Sequence, residues 1–135
     1  MTNITKLIVA ALHENWPDYE IYTESIEQGF REPCFSIAQI EGKSEAYPSG
    51  RTYIRQHFDV QFFQDGVRPR EQCRDMAEKL VFQLRELPGV RGTDIEWEIT
   101  DNVLHFFVTY ARFVQTSEKD ESMKTLDQTQ GVKNE

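Results

Sequence analysis

The sequence predicts an α+β domain: an antiparallel or mixed sheet of about five strands with two helices packed mainly on one face. Two segments carry apolar residues at three- and four-residue steps, which is the period of one helix face. Other segments alternate apolar and polar residues, or are rich in β-branched and aromatic residues, as strands are. Along the chain these segments follow the order α-β-β-β-α-β-β, without an internal repeat.

The predicted elements have recognisable ends. The first helix is expected over residues 4–16, with Thr2 or Asn3 as its cap and Pro17 directly after it. The strands are expected at residues 19–24, 34–41, 51–64, 93–100 and 103–115.

The connections are predicted from turn-forming residues. Gly29 marks a turn, because glycine adopts backbone angles that other residues avoid. Residues 42–50 contain Gly, Ser, Lys and Pro and are expected to form a mobile loop. Asp101-Asn102 is expected to join the last two strands as a tight two-residue turn, although it lacks the usual glycine.

Composition changes sharply near the end of the chain. We expect residues 1–115 to form a single domain and residues 116–135 to form a polar tail. The tail is either flexible or an arm that docks Met123 and Leu126 on a neighbouring molecule.

The second helix is the element on which the other predictions depend. It is expected over residues 69–87, with Pro69 in its first turn and Pro88-Gly89 after its end. Its apolar stripe, which must pack on the neighbouring strands, consists of Cys73, Met76, Ala77, Leu80, Val81, Leu84 and Leu87. Phe82 points about 180° away from the centre of that stripe. It is either a solvent-exposed aromatic residue or an anchor for a partner or a second copy.

The two longest strands differ in their faces. In the third strand an apolar face alternates with a polar face made by Arg55, His57, Asp59 and Gln61, so one side is expected to be buried and the other to be wet or to contact a polar partner. The last strand carries apolar residues on both faces. It is therefore expected to be central and covered on both sides.

Composition narrows the classes of function. The 135 residues are enough for one domain with a core, and the net charge of −8 argues against a general affinity for nucleic acid. Such a charge still suits a lining that DNA passes without sticking. Cys34 and Cys73 lie in apolar segments and are expected to be buried free thiols. No apolar run approaches the ~20 residues that span a bilayer, and no signal-peptide pattern is found, so a cytoplasmic origin without membrane contact is expected.

The sequence carries no recognisable catalytic motif. It has no nucleophile elbow, P-loop or dinucleotide-binding fingerprint, and its histidines are not at the spacing of a helical metal pair. We therefore predict no catalytic, cofactor-binding or metal-binding residues and no enzymatic activity. The alternative is a small enzyme whose site lies around His57, Asp59 and His105.

Several short segments carry a family likeness. They are Asn3-Ile4, Pro17-x-Tyr19-x-Ile21-Tyr22, Gln28-Gly29-Phe30 with Glu32-Pro33-x-Phe35, Asp59-Val60-x-Phe62, and a polar tail that contains Met123 and Leu126. In combination, over nearly the whole chain, they resemble the tail terminator family of phages and prophages of Gram-positive bacteria.

The resemblance implies a structural role. Proteins of this kind are expected to form a hexameric ring on the end of a finished tail tube, to stop its polymerisation and to offer a docking surface on the head side. The implied partners are further copies of the chain, the tail tube protein and a head-side connector or sheath protein, while DNA only passes through the lumen. No cofactor is implied. The implied location is the virion tail or a tail-like particle, assembled in the bacterial host cytoplasm.

No motif fixes the interface residues, so the candidates come from the outer face of the second helix, the third strand, the loop before it and the tail. They are Phe82, Arg51, Arg55, Tyr47, Met123 and Leu126. Besides the enzyme, two other functions remain open: a head–tail connector or completion protein, and a regulatory binding module that uses the C-terminal tail.

Overall fold

The computed structural model describes residues 3–23 and 31–115 and contains two helices and six strands in those ranges. In chain order they are α1 (Ile4–Asn15), β1 (Glu20–Tyr22), β2 (Cys34–Tyr47), a 3-10 turn (Pro48–Gly50), β3 (Arg51–Phe63), α2 (Pro69–Leu84), β4 (Glu86–Leu87), β5 (Val90–Thr100) and β6 (Val103–Gln115). The strands form one mixed sheet in the order β1-β2-β3-β6-β5-β4. β1 runs parallel to β2, whereas β5 runs antiparallel to β4 and β6. The predicted α+β class and element order are confirmed, and the additional strand is the two-residue β4.

The first helix begins and ends where its sequence indicates. The Asn3 side chain accepts a hydrogen bond from the Lys6 backbone N–H at 3.2 Å, which satisfies one of the unpaired donors at the start of α1. At the other end, Trp16 N–H donates to the Leu12 carbonyl at 2.8 Å, directly before Pro17. Of the two predicted caps, Asn3 is the one observed.

The second helix ends earlier than predicted. α2 stops at Leu84, and Leu87 does not continue its stripe, because Glu86 and Leu87 pair as a strand with Arg91 and Val90. Gly92 allows the end of the helix to lie close to β5. A Cβ at that position would stand 3.0 Å from the Leu84 carbonyl oxygen and 2.8 Å from a Val108 methyl carbon.

Both helices cover the same face of the sheet. The buried cluster joins residues of α1, of α2 and of alternate strand positions: Ile4, Ile8 and Leu12 of α1, Cys73, Met76, Ala77, Leu80 and Leu84 of α2, and Phe35, Ile37, Phe58, Val60, Phe62, Leu104, Phe106, Val108 and Tyr110 of the strands. These strand positions are two residues apart, so they point to one side of the sheet. The prediction of helices on one face is confirmed.

The connection between β5 and β6 is the predicted two-residue turn. Asp101 and Asn102 have φ angles of 52° and 63°, the left-handed pair that a tight hairpin turn requires. Asn and Asp tolerate this conformation better than other non-glycine residues. The prediction is therefore confirmed without a glycine in the turn.

The mobile loop predicted for residues 42–50 is wrong. β2 continues to Tyr47, and only Pro48–Gly50 connects it to β3, with Ser49 at a φ angle of 69°. Residues 43–47 belong to β2, which is hydrogen-bonded to β3 in the sheet, so their backbone is extended rather than an irregular loop. Their polar composition reflects exposure of the side chains rather than an irregular backbone.

The described chain divides into two compact units. The larger contains residues 3–23, 31–42 and 55–111, and the smaller contains residues 43–54 and 112–115. None of the helices in the described ranges is long and apolar enough to cross a membrane. The turn predicted at Gly29 and the tail predicted over 116–135 lie outside the described residues. The assignment of residues 1–115 to a single domain stays a prediction.

Candidate functional site

The larger unit presents one sheet face that its helices do not cover. We call this the open face; it is formed by Arg55, His57, Asp59, Gln61, Glu96, Glu98, His105, Phe107 and Thr109. The register of β5 and β6 places Glu96 opposite Phe107 and Glu98 opposite His105. Because residues directly opposite each other share a face, all four lie on the side away from the core.

The open face corrects one prediction about β6. The strand is central, as expected, since it lies between β3 and β5. Covering on both sides is wrong for the described residues, because His105 and Phe107 remain partly exposed and both helices pack on the other face. The apolar character of Phe107 therefore reflects contacts with its neighbours on the strand face.

A buried carboxylate lies at the centre of the open face. Asp59 is only 8% exposed, and its Oδ2 lies 3.1 Å from His105 Nδ1 and 3.2 Å from Gln61 Nε2, which donates to it. Its other oxygen, Oδ1, is buried without a hydrogen-bond partner among the described residues. Two neighbours therefore fix the orientation of the carboxylate, while one acceptor stays unused.

The two histidines of the face lie against one aromatic ring. His57 stacks on Phe107 with ring centroids 5.9 Å apart and an angle of 9° between the planes, and His105 stacks on it at 6.4 Å and 16°. His57 Nδ1 also lies 2.7 Å from the hydroxyl oxygen of Thr109. Ring contacts and side-chain hydrogen bonds thus connect β3 to β6 across the open face.

The geometry gives limited support to the alternative of an enzyme. An aspartate that orients a histidine is a feature of nucleophilic enzymes, but such a site also needs a nucleophile that a substrate can reach. The Thr109 hydroxyl is fully buried and contacts His57 rather than His105. Within the described ranges, no group of three or more His, Cys, Asp or Glu is placed to hold a metal ion.

Both cysteines are buried free thiols, as predicted. Burial raises the pKa of the Cys34 thiol to about 11, and burial also raises the pKa of Cys73. The Cys73 thiol donates to the Asn102 carbonyl oxygen at 3.6 Å. Each thiol is therefore protonated at neutral pH and serves as a small apolar residue.

The smaller unit carries an exposed aromatic cluster, which we define as Tyr47, Tyr53 and Phe113 with Arg51. Phe113 lies 5.2 Å from Tyr47 in an edge-on arrangement and 5.1 Å from Tyr53, measured between ring centroids. The Arg51 guanidinium carbon stands 4.0 Å above the Phe113 ring. Tyr47 and Phe113 remain 41% and 46% exposed, so their contact leaves a patch of aromatic surface exposed to solvent.

The structure places the predicted interaction residues in separate locations. Phe82 is 68% exposed on the outer side of α2, with the Arg85 guanidinium 5.4 Å from its ring centroid. Arg55 pairs with Asp94 at 3.1 Å, an exposed ion pair of about 0–1 kcal/mol. Arg51 and Tyr47 belong to the aromatic cluster. Met123 and Leu126 lie outside the described residues.

Sequence reasoning missed two members of that cluster, Tyr53 and Phe113. Phe113 continues the alternation of β6 beyond the helix-covered residues, so its exposure follows from extending the strand pattern to its last residues. Tyr53 lies near the start of β3, where the alternation described above does not assign a face. The sequence does show several aromatic and basic residues near Arg51. They form a cluster only because the strands that carry them pair in the sheet.

Comparison with known families gives one finding. Residues 3–123 match the model of a family described as phage tail terminator protein. The matched range includes every described element of the chain. No individually curated protein matches the chain.

Proposed function

The chain belongs to the phage tail terminator family, and from this membership we propose that it caps the tail tube as a ring, ends tube polymerisation and provides the head-side docking surface. The family is structural, and membership makes the protein a component of the virion tail. The observation that carries the proposal is the match over residues 3–123. The proposed ring is a hexamer, with the tube protein on one side and a connector or sheath protein on the other.

The surface of the larger unit suits a subunit that contacts several neighbours. Its open face and the Phe82 side of α2 lie on opposite sides of the sheet. A ring of identical subunits with head-to-tail contacts needs two different surfaces on each subunit, because each subunit contacts one neighbour through the first surface and the other neighbour through the second. The separation of these two surfaces supports such an assembly.

The charge of the chain suits a channel for DNA. With a net charge of −8 over 135 residues, the chain has little positive charge in excess to neutralise phosphates. General DNA affinity depends on that neutralisation. A ring built from such subunits lets DNA pass through its lumen without retaining it.

The proposal is tested by tail length in a producing strain from which the gene has been deleted. Electron microscopy should show tails of abnormal and variable length, and expression of the wild-type chain from a plasmid should restore a narrow length distribution. Tails of normal length that fail to join heads would instead indicate a connector or completion protein. Complete and normal particles in the deletion strain would overturn the proposal.

A further inference from the structure

The charges of the described chain are divided unevenly between its two units. The smaller unit has three basic residues, Lys43, Arg51 and Arg112, and a single acidic residue, Glu45. The described part of the larger unit has nine basic residues against fifteen acidic residues. One unit is therefore net positive and the other net negative.

The positive unit presents an exposed arginine that contacts an aromatic ring. Arg51 is exposed, lies over the Phe113 ring at 4.0 Å and has no carboxylate partner among residues 3–23 and 31–115. The face of an aromatic ring attracts a guanidinium cation, and the guanidinium carries several N–H donors that suit a carboxylate. Exposed Tyr and Arg side chains of this kind are typical anchors of protein interfaces.

The negative unit presents two unpaired carboxylates on the open face. Glu96 and Glu98 are exposed, alternate along β5 and flank the partly exposed Phe107 and His105 across the strand pair. Neither carboxylate has an ion-pair partner in the part of the chain that the structure describes. We call Glu96 and Glu98 with Phe107 the acidic strip.

We propose that Arg51 and the aromatic cluster of one copy dock on the acidic strip of the next copy. This inference rests on the proposed ring and assigns one of its subunit contacts. The two surfaces are complementary in charge, and each offers aromatic area beside its charges. Because they are different surfaces of the same chain, their contact is head-to-tail, which is the kind that closes a ring. Arg51 then gains a carboxylate partner, which it lacks among residues 3–23 and 31–115.

A second copy fits the cluster better than DNA does. The basic residues of the smaller unit are few, and proteins that bind DNA through phosphates use several cations to release counterions. The acidic strip also has no role in binding a polyanion. When the partner is another copy of the chain, the aromatic cluster of one copy contacts the acidic strip of the next, so both surfaces take part in binding.

The test is reciprocal charge reversal in the deletion strain. Arg51→Glu, Glu96→Arg and Glu98→Arg are expressed singly, and Arg51→Glu is also combined with each glutamate reversal. Lys6→Glu is the matched control, because it changes charge equally at an exposed position of α1. Each variant is purified and its thermal unfolding compared with wild type, so that a failure to fold is recognised. The readouts are tail length and the amount of the chain in purified particles.

We expect Arg51→Glu and at least one glutamate reversal to lower incorporation about tenfold or more, since like charges then face each other across the contact. The corresponding double reversal should restore incorporation and tail length, and Lys6→Glu should behave as wild type. Normal incorporation of folded Arg51→Glu, or no rescue by either double reversal, would overturn this contact while leaving the proposed function intact. Salt-dependent binding of duplex DNA that Arg51→Glu abolishes, with assembly unchanged, would overturn the choice of a second copy. Normal tails in the deletion strain would remove the proposed function itself.

Discussion

Tyr110 shows at the scale of one residue how the core is connected to the end of α2. Its side chain is fully buried, and its hydroxyl donates a hydrogen bond of 2.5 Å to the Leu84 carbonyl oxygen, one of the carbonyls at the helix end. Burial raises the pKa of the Tyr110 phenol above its usual value. The folded chain therefore favours the protonated, neutral form of the Tyr110 phenol.

Tyr110→Phe should lower the free energy of unfolding by about 1–3 kcal/mol, because the Leu84 carbonyl loses its donor while the ring still fills its place. Urea unfolding at pH 7 measures the change. An unchanged midpoint would show that the hydrogen bond contributes nothing to stability.

The same residue predicts a dependence on alkaline pH. A group whose folded-state pKa is raised stabilises fully below its unfolded-state pKa, which is about 10 for tyrosine, and this contribution is lost as pH rises above that value. Stability of the wild-type chain should therefore fall above about pH 10 more steeply than that of Tyr110→Phe. Parallel alkaline curves would contradict this account.

The polar residues of β3 illustrate how much of the site the periodicity of the sequence predicts. Alternation along β3 placed His57 and Asp59 on one polar face, and the structure confirms that face. Alternation alone does not predict that Asp59 contacts His105, although the alternative of an enzyme groups these two residues, because the contact depends on how β3 and β6 align. No sequence pattern predicts that Asp59 Oδ1 is buried without a hydrogen-bond partner among the described residues.

At the scale of elements, the packing of α2 on β5 depends on one close approach. Gly92 leaves room for the Leu84 carbonyl and for side chains of Val108 and Tyr110, and an added Cβ would stand 2.8–3.1 Å from atoms of these residues. Neither the helix end nor the strand can retreat without disturbing the other, since Gly92 N–H also donates to the Arg85 carbonyl at 2.6 Å.

Gly92→Ala should therefore destabilise the chain by about 1–3 kcal/mol, the range for overpacking a filled site. Gly42→Ala is the control, because its Cβ would meet only the flexible end of the Gln39 side chain. Thermal unfolding compares the two variants. Equal midpoints for both would contradict the close packing at Gly92.

The elements themselves were predictable where local periodicity and caps determine them. α1, the start of α2, the turn at Asp101-Asn102 and the whole of β6 follow from such signals. The continuation of β2 to Tyr47 and the strand β4 did not follow. Both depend on backbone pairing with a neighbouring strand, and the sequence of a polar or short segment does not indicate such pairing.

At the scale of the whole molecule, the account requires exposed surfaces that act in assembly rather than in folding. Phe82 is the clearest single example, since its ring is 68% exposed on α2. Phe82→Glu should change the free energy of unfolding by less than about 0.5 kcal/mol, as surface substitutions do. Incorporation into particles should nevertheless fall.

A matched control for Phe82→Glu is Lys79→Glu, which adds negative charge at another exposed position of the same helix without removing an aromatic ring. Quantifying the chain in purified particles distinguishes the two variants. If Phe82→Glu assembles as well as Lys79→Glu, Phe82 is an exposed aromatic residue without a role in assembly.

The family was recognisable from residues distributed along the chain, and the match over residues 3–123 confirms it. The particular interface residues were not, because contact surfaces of a ring subunit are set by shape and charge across strands and helices. Arg51 and Tyr47 were selected individually, whereas the structure shows them as parts of one cluster with Phe113.

Elongation of tail tubes in the presence of the purified chain tests whether the protein ends polymerisation. Preformed tail tubes are incubated with an excess of the full chain, fresh tube subunits are added, and tube lengths are measured by electron microscopy over time. Treated tubes should stop growing, while untreated tubes should lengthen. Equal growth of treated and untreated tubes would contradict the claim that this protein ends polymerisation.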